Sequence, residues 1–248
     1  MKLKGKVAII AGASGGIGRE ITMELAEEGA ELILVARRKP VLIALKRIIE
    51  EGGGKVNIFT ADLTKKESVN KLIDEIRNKY DHIDILFNVA GVGVYKKFID
   101  VSYDEWKHSF EVNVDSVFLL TQKLIPLLKK SKKSYVISMG SGMGKIALSG
   151  RSPYCSSKFA LRGLMLSLMK EYEKNRINFV LLTVGSVLTG FGPLTIKEKV
   201  EKQKEGKKYL DPKWLASYII TKIKHDTLDD EVPIYPSHYF EESKKDDR

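Results

Sequence analysis

The 248-residue chain holds one cysteine, Cys155, which excludes an internal disulfide and gives no start to a cysteine metal site. Its four histidines, His82, His108, His225 and His238, do not recur at metal-ligand spacing, so no metal is expected. No apolar run approaches the ~20 residues of a membrane span, and no repeat or low-complexity tract interrupts the chain. The opening "MKLKGKVAIIAG" sets basic residues before an apolar run. That run is short and passes straight into a glycine motif, so it reads as a first strand and not as a leader. The tail "EESKKDDR", 241–248, is charged and carries no lipidation signal. A soluble protein of the reducing cytoplasm, without a membrane partner, is expected.

The formal net charge of +10 raises nucleic-acid binding, because clustered Lys and Arg supply phosphate affinity. Here the lysines are interspersed with acids, as in "IKEKVEKQKEGKK", and no finger spacing or aromatic RNA-binding motif accompanies them. The pattern is that of a solvated, lysine-rich surface. Its positive field favours an anionic cofactor or substrate.

What is present is a regular alternation. The apolar, β-branched runs "KVAIIAG", "ELILVAR", "KVNIFTAD", "IDILFNVAG", "SYVISMG", "INFVLLTVG" and a weaker "VPIYP" are separated by longer helical patterns. Continuous apolar strands between amphipathic helices imply a parallel sheet covered on both faces. We expect a single α/β domain over residues 1–248: a doubly wound Rossmann-type sheet of about seven strands, with the chemistry at the carboxyl edge.

The first strand ends in "AGASGGIGREITMELAEEGA", which puts Gly12, Gly16 and Gly18 before a helix. Such glycines let the backbone turn tightly and approach a pyrophosphate, while helix amides meet its charge. The G-K-[ST] ending of a triphosphate loop is missing, so a dinucleotide is expected. The second strand ends in "LVARR", without the acid that would bind a bare ribose and repel a 2′-phosphate. Arg37 and Arg38 stand there instead and favour NADP(H), with the Ser14 hydroxyl as a further partner.

In "PYCSSK", Tyr154 and Lys158 are four residues apart and share a face if the segment is helical. Ser152 suits the capping position and Pro153 the first helical one. The helix dipole and the ammonium are then both expected to lower a phenol pKa that starts near ~10.

Taken together, these residues resemble the short-chain dehydrogenase/reductase family in its compact form, from the glycine turn to about residue 189. The family's T-G-x-x-x-G-x-G is matched at Gly12, Gly16 and Gly18, with Ala11 in place of threonine and Ile17 as a further cofactor-binding residue of the turn. Asp62 and Leu63 are similar to its adenine-contacting pair, and Asn88 to Gly91 to its N-N-A-G, with Val89 in place of asparagine. Asn113 in "EVNV" and Ser141, thirteen residues before Tyr154, complete its active-site set with Lys158. Val184 replaces a usual proline before Gly185, and Val187 and Thr189 match residues that contact the carboxamide. Loss of the polar pair at Ala11 and Val89 together leaves neither side holding an unpaired buried group.

The resemblance implies hydride transfer between NADP(H) and a carbonyl or secondary alcohol. In it Tyr154 is the general acid/base, Ser141 stabilises the oxygen, and Lys158 holds the nicotinamide ribose and tunes the tyrosine. Asn113 anchors a water that feeds Lys158. Within the family a 3-oxoacyl thioester reductase is the second reading, and a non-catalytic NADP-sensing protein a lesser one, since it has no need of Ser141, Tyr154 and Lys158 together. Residues 190–210, with two early glycines and dense charge, are expected to form a mobile, partly helical substrate flap. Helices at about 102–130 and 153–174 are expected to build a homodimer or homotetramer. Met143, Ile146 and the segment after Thr189 are expected to wall the substrate pocket.

Overall fold

The computed structural model describes residues 1–237; the tail at 241–248 and His238 lie outside the described residues. The strands are β1 (Val7–Ala11), β2 (Glu31–Ala36), β3 (Lys55–Thr60), β4 (Ile85–Asn88), β5 (Ser134–Met139), β6 (Ile177–Val184) and β7 (Glu231–Ile234). The helices are α1 (Gly16–Glu27), α2 (Lys39–Glu51), α3 (Lys66–Arg77), α4 (Tyr103–Phe110), α5 (Ser116–Leu128), α6 (Ser152–Glu171), α7 (Ile196–Lys204) and α8 (Pro212–His225). Each apolar run expected to be a strand is one.

The strands form one seven-stranded sheet in the order β3-β2-β1-β4-β5-β6-β7, and every pairing is parallel. Strand side chains alternate between faces, so each strand feeds two cores. Ala8, Ile10, Leu32 and Leu34 pack under Ile21 and Leu25 of α1, Leu42 of α2 and Ile219 of α8. Ile9, Ile33, Leu86 and Val136 pack under Val69 and Ile73 of α3, Leu124 of α5 and Met165 of α6. That double cover is why β1, β4 and β5 bury every residue. β7 lies at the edge, where Pro233 leaves no central ladder bond unmade. Among the described residues no helix is long and apolar enough to cross a membrane.

The chain runs outward from β1 in both directions, so a crevice opens between the carboxyl ends of β1 and β4. The polar tie absent from Ala11 and Val89 is replaced by backbone: Ala11 O accepts from Val89 N at 2.9 Å and from Ala90 N at 2.8 Å. Val89 packs against the core beneath it. Val184, where the family has proline, ends β6 in register with Ile234.

Two local details differ from the sequence expectation. The helix over about 102–130 is broken into α4, a π turn at Glu111–Asp115, and α5. A π turn is a common device at functional sites, and here it carries Asn113 into the interior. At the start of α6, Ser152 is already inside the helix with Pro153; the capping position falls on Arg151, and no side chain caps the end.

Candidate active site

Two cavities open at the carboxyl edge, of about 490 Å³ and about 410 Å³, with Phe191 on the wall between them. The larger one lies over the glycine turn. Gly12 has φ +102°, and a Cβ there would meet Ala90 N at 2.5 Å; only glycine lets β1 turn away this close to the end of β4. A Cβ on Gly18 would lie 2.2 Å from Gly12 O, so this glycine seats the helix directly against the turn. α1 then begins with no side-chain cap and no acid in its first turn. Its free amides and the positive end of its dipole adjoin the cavity.

The far end of the same cavity is basic. Arg38 Nη2 donates to Ser14 O at 2.7 Å and reaches Ser14 Oγ at 3.4 Å, while Arg37 projects beside it. Asp62 faces them, and its Oδ1 accepts from Thr64 N at 3.0 Å and Thr64 Oγ1 at 2.8 Å. Burial raises the Asp62 carboxyl, but these bonds and the charges of Arg37 and Lys65 outweigh it and leave the group below its usual range. Close backbone, uncapped amides and two guanidiniums in one cavity suit a dinucleotide: the pyrophosphate against the α1 terminus, the adenosine end toward Arg37, Arg38 and Asp62.

The smaller cavity is lined by Ser141 and Tyr154, with Lys158 and Asn113 buried behind the walls. Ser141 follows β5, and its Oγ accepts from Met143 N at 3.2 Å. Tyr154, in the first turn of α6, lies between Tyr95 and Phe191, with ring centroids 5.8 Å and 5.7 Å away. Lys158 is buried, donates from Nζ to Met139 O at 2.7 Å, and stands 5.7 Å from the Tyr154 ring centroid. Asn113 clamps Val92, accepting from its N–H and donating to its carbonyl at 2.9 Å each, and donates to Ser157 Oγ at 2.9 Å. Ser157 in turn donates to Tyr154 O at 2.9 Å. One amide side chain therefore ties the loop after β4, the π turn and α6 together. A Cβ on Gly91 would lie 3.3 Å from Asn113 Oδ1 and 3.9 Å from Lys158 Nζ, so both heads converge behind Gly91 on the wall of the larger cavity.

The electrostatics correct one expectation. Burial drives the Tyr154 phenol well above its ordinary value, and the hydrogen bond from Ser141 only partly offsets this. Lys158 does not reverse it: its ammonium is turned to the Met139 carbonyl, and burial lowers its own pKa to about 8. At neutral pH the pair rests as phenol and ammonium.

The model of the family described as short chain dehydrogenase matches residues 6–199. The chain belongs to the short-chain dehydrogenase family. A 3-oxoacyl-[acyl-carrier-protein] reductase of Thermotoga maritima is 30% identical over 206 residues, 83% of this chain and 82% of that protein. A fatty acyl-CoA reductase of Acinetobacter baylyi is 35% identical over 205 residues, 81% and 68% of the two chains. The alcohol dehydrogenase of the archaeon Thermococcus sibiricus, solved with 5-hydroxy-NADP, superposes with a TM-score of 0.83 at 28% identity, covering 93% of this chain and 96% of that one.

In this short-chain dehydrogenase the residues singled out from sequence fall into three places. Gly12, Ser14, Gly16, Ile17, Arg37, Arg38, Asp62, Leu63, Gly91 and Thr189 line the larger cavity. Ser141, Tyr154 and Val187 line the smaller one, together with the expected Met143 and Ile146. Gly18, Asn113 and Lys158 stand behind the walls. Asn88 is buried at the end of β4 and lines neither cavity; its Nδ2 reaches Ser138 Oγ at 3.3 Å and Thr121 Oγ1 at 3.4 Å. Val187 is held in the smaller cavity by its bridge to Leu210.

Sequence reasoning missed Tyr95, Arg151, Ser157, Phe191 and Lys199. The last two organise residues 187–210. Lys199 of α7 is buried, and its Nζ donates to the carbonyls of Phe191 at 2.7 Å, Thr189 at 2.8 Å and Val187 at 3.3 Å. Burial pushes its pKa down, helped by the charge of Lys207. In "IKEKVEKQK" nothing distinguishes this lysine from its neighbours, because only the tertiary fold turns one of them inward.

Proposed function

We propose that this chain is an NADP(H)-dependent reductase that converts a carbonyl compound to its secondary alcohol, with Tyr154 as proton donor. The observation that carries the reading is the meeting of Ser141, Tyr154, Lys158 and Asn113 where the two cavities join. A nicotinamide cofactor, when bound, supplies the hydride at the carbonyl carbon. Tyr154 gives its hydroxyl proton to the carbonyl oxygen, and the phenol form favoured by burial keeps that proton available at neutral pH. Ser141 donates a second hydrogen bond to the same oxygen and stabilises the charge developing there. Lys158, behind Gly91, is in place to hold the nicotinamide ribose and to return a proton to Tyr154, and Asn113 fixes the loop and helix that position both. Arg37, Arg38 and Ser14 would bind the 2′-phosphate, and Asp62 and Leu63 the adenine.

The reading extends to assembly as a homodimer or homotetramer and to a flap made by residues 190–210. A second reading, reduction of a 3-oxoacyl thioester, draws support from the name of the Thermotoga maritima relative and from a basic surface suited to an acidic carrier. A panel of ketones, aldehydes, sugars and acyl thioesters, followed by NADPH oxidation, separates the two.

Tyr154→Phe removes the proton donor and little else. It is expected to abolish turnover while NADPH still binds in a fluorescence titration. Ser141→Ala is expected to lose roughly 10²-fold or more in kcat, as oxyanion donors do. Full turnover by the Tyr154→Phe protein would refute the mechanism.

A further inference from the structure

The smaller cavity has an electrostatic character that proton transfer to a carbonyl does not require. Among the described residues that line it there is no aspartate or glutamate, but there are three cations: Arg151, Lys199 and Lys207. Lys199 is consumed by three backbone carbonyls. Lys207 is exposed and lies 5.4 Å over the Tyr209 ring. Arg151 is different. It is half-buried, its guanidinium stacks 5.0 Å from the Tyr95 ring centroid, and among the described residues its side chain makes one hydrogen bond, from Nη1 to Met143 Sδ at 3.6 Å. A thioether is a weak acceptor, and a guanidinium has five N–H donors to place.

The same helix shows what a satisfied arginine looks like. Arg162 of α6 is held bidentately by Glu231 at 2.9 Å and 3.0 Å. That carboxylate also takes Lys145 at 3.0 Å and Thr183 at 3.1 Å, so it is fully engaged away from Arg151. Among the described residues two more features of the cavity lack a partner: the buried Tyr209 hydroxyl has none, and the first turn of α6, which Arg151 precedes, has no side-chain cap. Burial raises the phenols of Tyr95 and Tyr154, and the Arg151 charge opposes it at both, which places the guanidinium within electrostatic reach of the proton donor.

We infer that the substrate is an anionic oxo compound: a carbonyl on an apolar or aromatic body that also bears a carboxylate or phosphate, with the anion held by Arg151. Tyr95, Phe191 and Tyr209 supply the apolar walls, and the guanidinium supplies the fork that planar oxyanions match. Arg151 is three residues ahead of Tyr154, so the anion is gripped one helical turn from the proton donor and fixes which carbonyl meets it. This rests on the reductase reading for the reaction, but the anion site is a claim of its own.

The test is a titration calorimetry series in the presence of NADP⁺, which cannot reduce the probes. The probes are 4-oxo-4-phenylbutanoate, its methyl ester and phenacyl phosphate, applied to the wild type, Arg151→Gln and Arg151→Lys. One or both anions are expected to bind about ten- to a hundredfold more tightly than the ester. Arg151→Gln should erase that ratio and Arg151→Lys should keep part of it. Which anion binds better identifies a carboxylate or a phosphate as the natural head. Equal affinity for anions and ester in the wild type, or a ratio that survives in a folded Arg151→Gln protein, would overturn the anion site. Reduction by NADPH is read separately. Anions that bind through Arg151, with no probe reduced, count against the reductase reading alone, whereas acid and ester bound and reduced alike count against the anion site alone.

Discussion

At the scale of single residues, the proposed role of Tyr154 asks how a phenol raised by burial would serve as an acid. In that role it would give up its proton only while charge develops on the substrate oxygen, so a high resting pKa would keep it loaded. The group that titrates near the working range is Lys158, which burial brings down to about 8. It is an ammonium below that pH and a neutral amine above it. If the ammonium holds the ribose and reloads Tyr154, the reduction rate is high below pH 8 and falls as the pH rises through it. A kcat profile from pH 6 to 10 checks this; a plateau reaching pH 10 would assign no such role to Lys158.

Cofactor choice also belongs to this scale. Arg38 is already braced by Ser14, the charge of Arg37 beside it acts on Asp62, and Ala36 ends β2 without an acid. NADPH is expected to bind more tightly than NADH by about 2–4 kcal/mol, the strength of one or two charge-assisted hydrogen bonds. Ala36→Asp combined with Arg37→Ala should reverse the order by adding repulsion and removing attraction. Four dissociation constants decide it, and equal affinity of the wild type for both cofactors would make the arginines surface charges.

At the scale of elements, residues 187–210 form a strand exit and α7 joined by one lysine. Thr195 and Glu198 start α7 with a reciprocal cap, and Gly192 and Gly206 take φ +95° and +94° at its flanks. In the proposed flap Lys199 would be the fastening and the glycines the joints. Protection of 190–210 against hydrogen exchange should rise when NADPH and a carbonyl substrate bind. Lys199→Met removes three donors to carbonyls and should speed exchange at 187–191 by about tenfold or more. Equal protection with and without ligands would remove the flap.

At the scale of the whole molecule, α4, α5 and α6 leave Tyr103, Phe118 and Phe159 exposed. Aromatic residues are enriched at association faces relative to the rest of a protein surface. Light scattering is expected to give a dimer or tetramer, and Phe118→Glu should shift it toward monomer. A monomeric wild type at micromolar concentration would leave those rings without that role.

The alternation of apolar runs and amphipathic helices determined the sheet, because strands buried on both faces have no other way to satisfy their side chains. The glycine turn and the Tyr154–Lys158 pair were legible for a related reason: their spacing is set by a strand end and a helix turn, whereas Asn113 and Ser141 were legible only through the resemblance to the family. Tertiary structure decided what depends on environment. It raised Tyr154 where the helix position alone pointed down, because desolvation by Tyr95, Phe191 and the surrounding wall is invisible in spacing. It put Asn88 inside the sheet end and Asn113 on a π turn, since one hydrogen bond more or less shifts a helix register without changing its residues. Above all it separated Lys199 from the other lysines of α7, and Arg151 from Arg162. A cation's role depends on which acceptors surround it, and those come from distant parts of the chain.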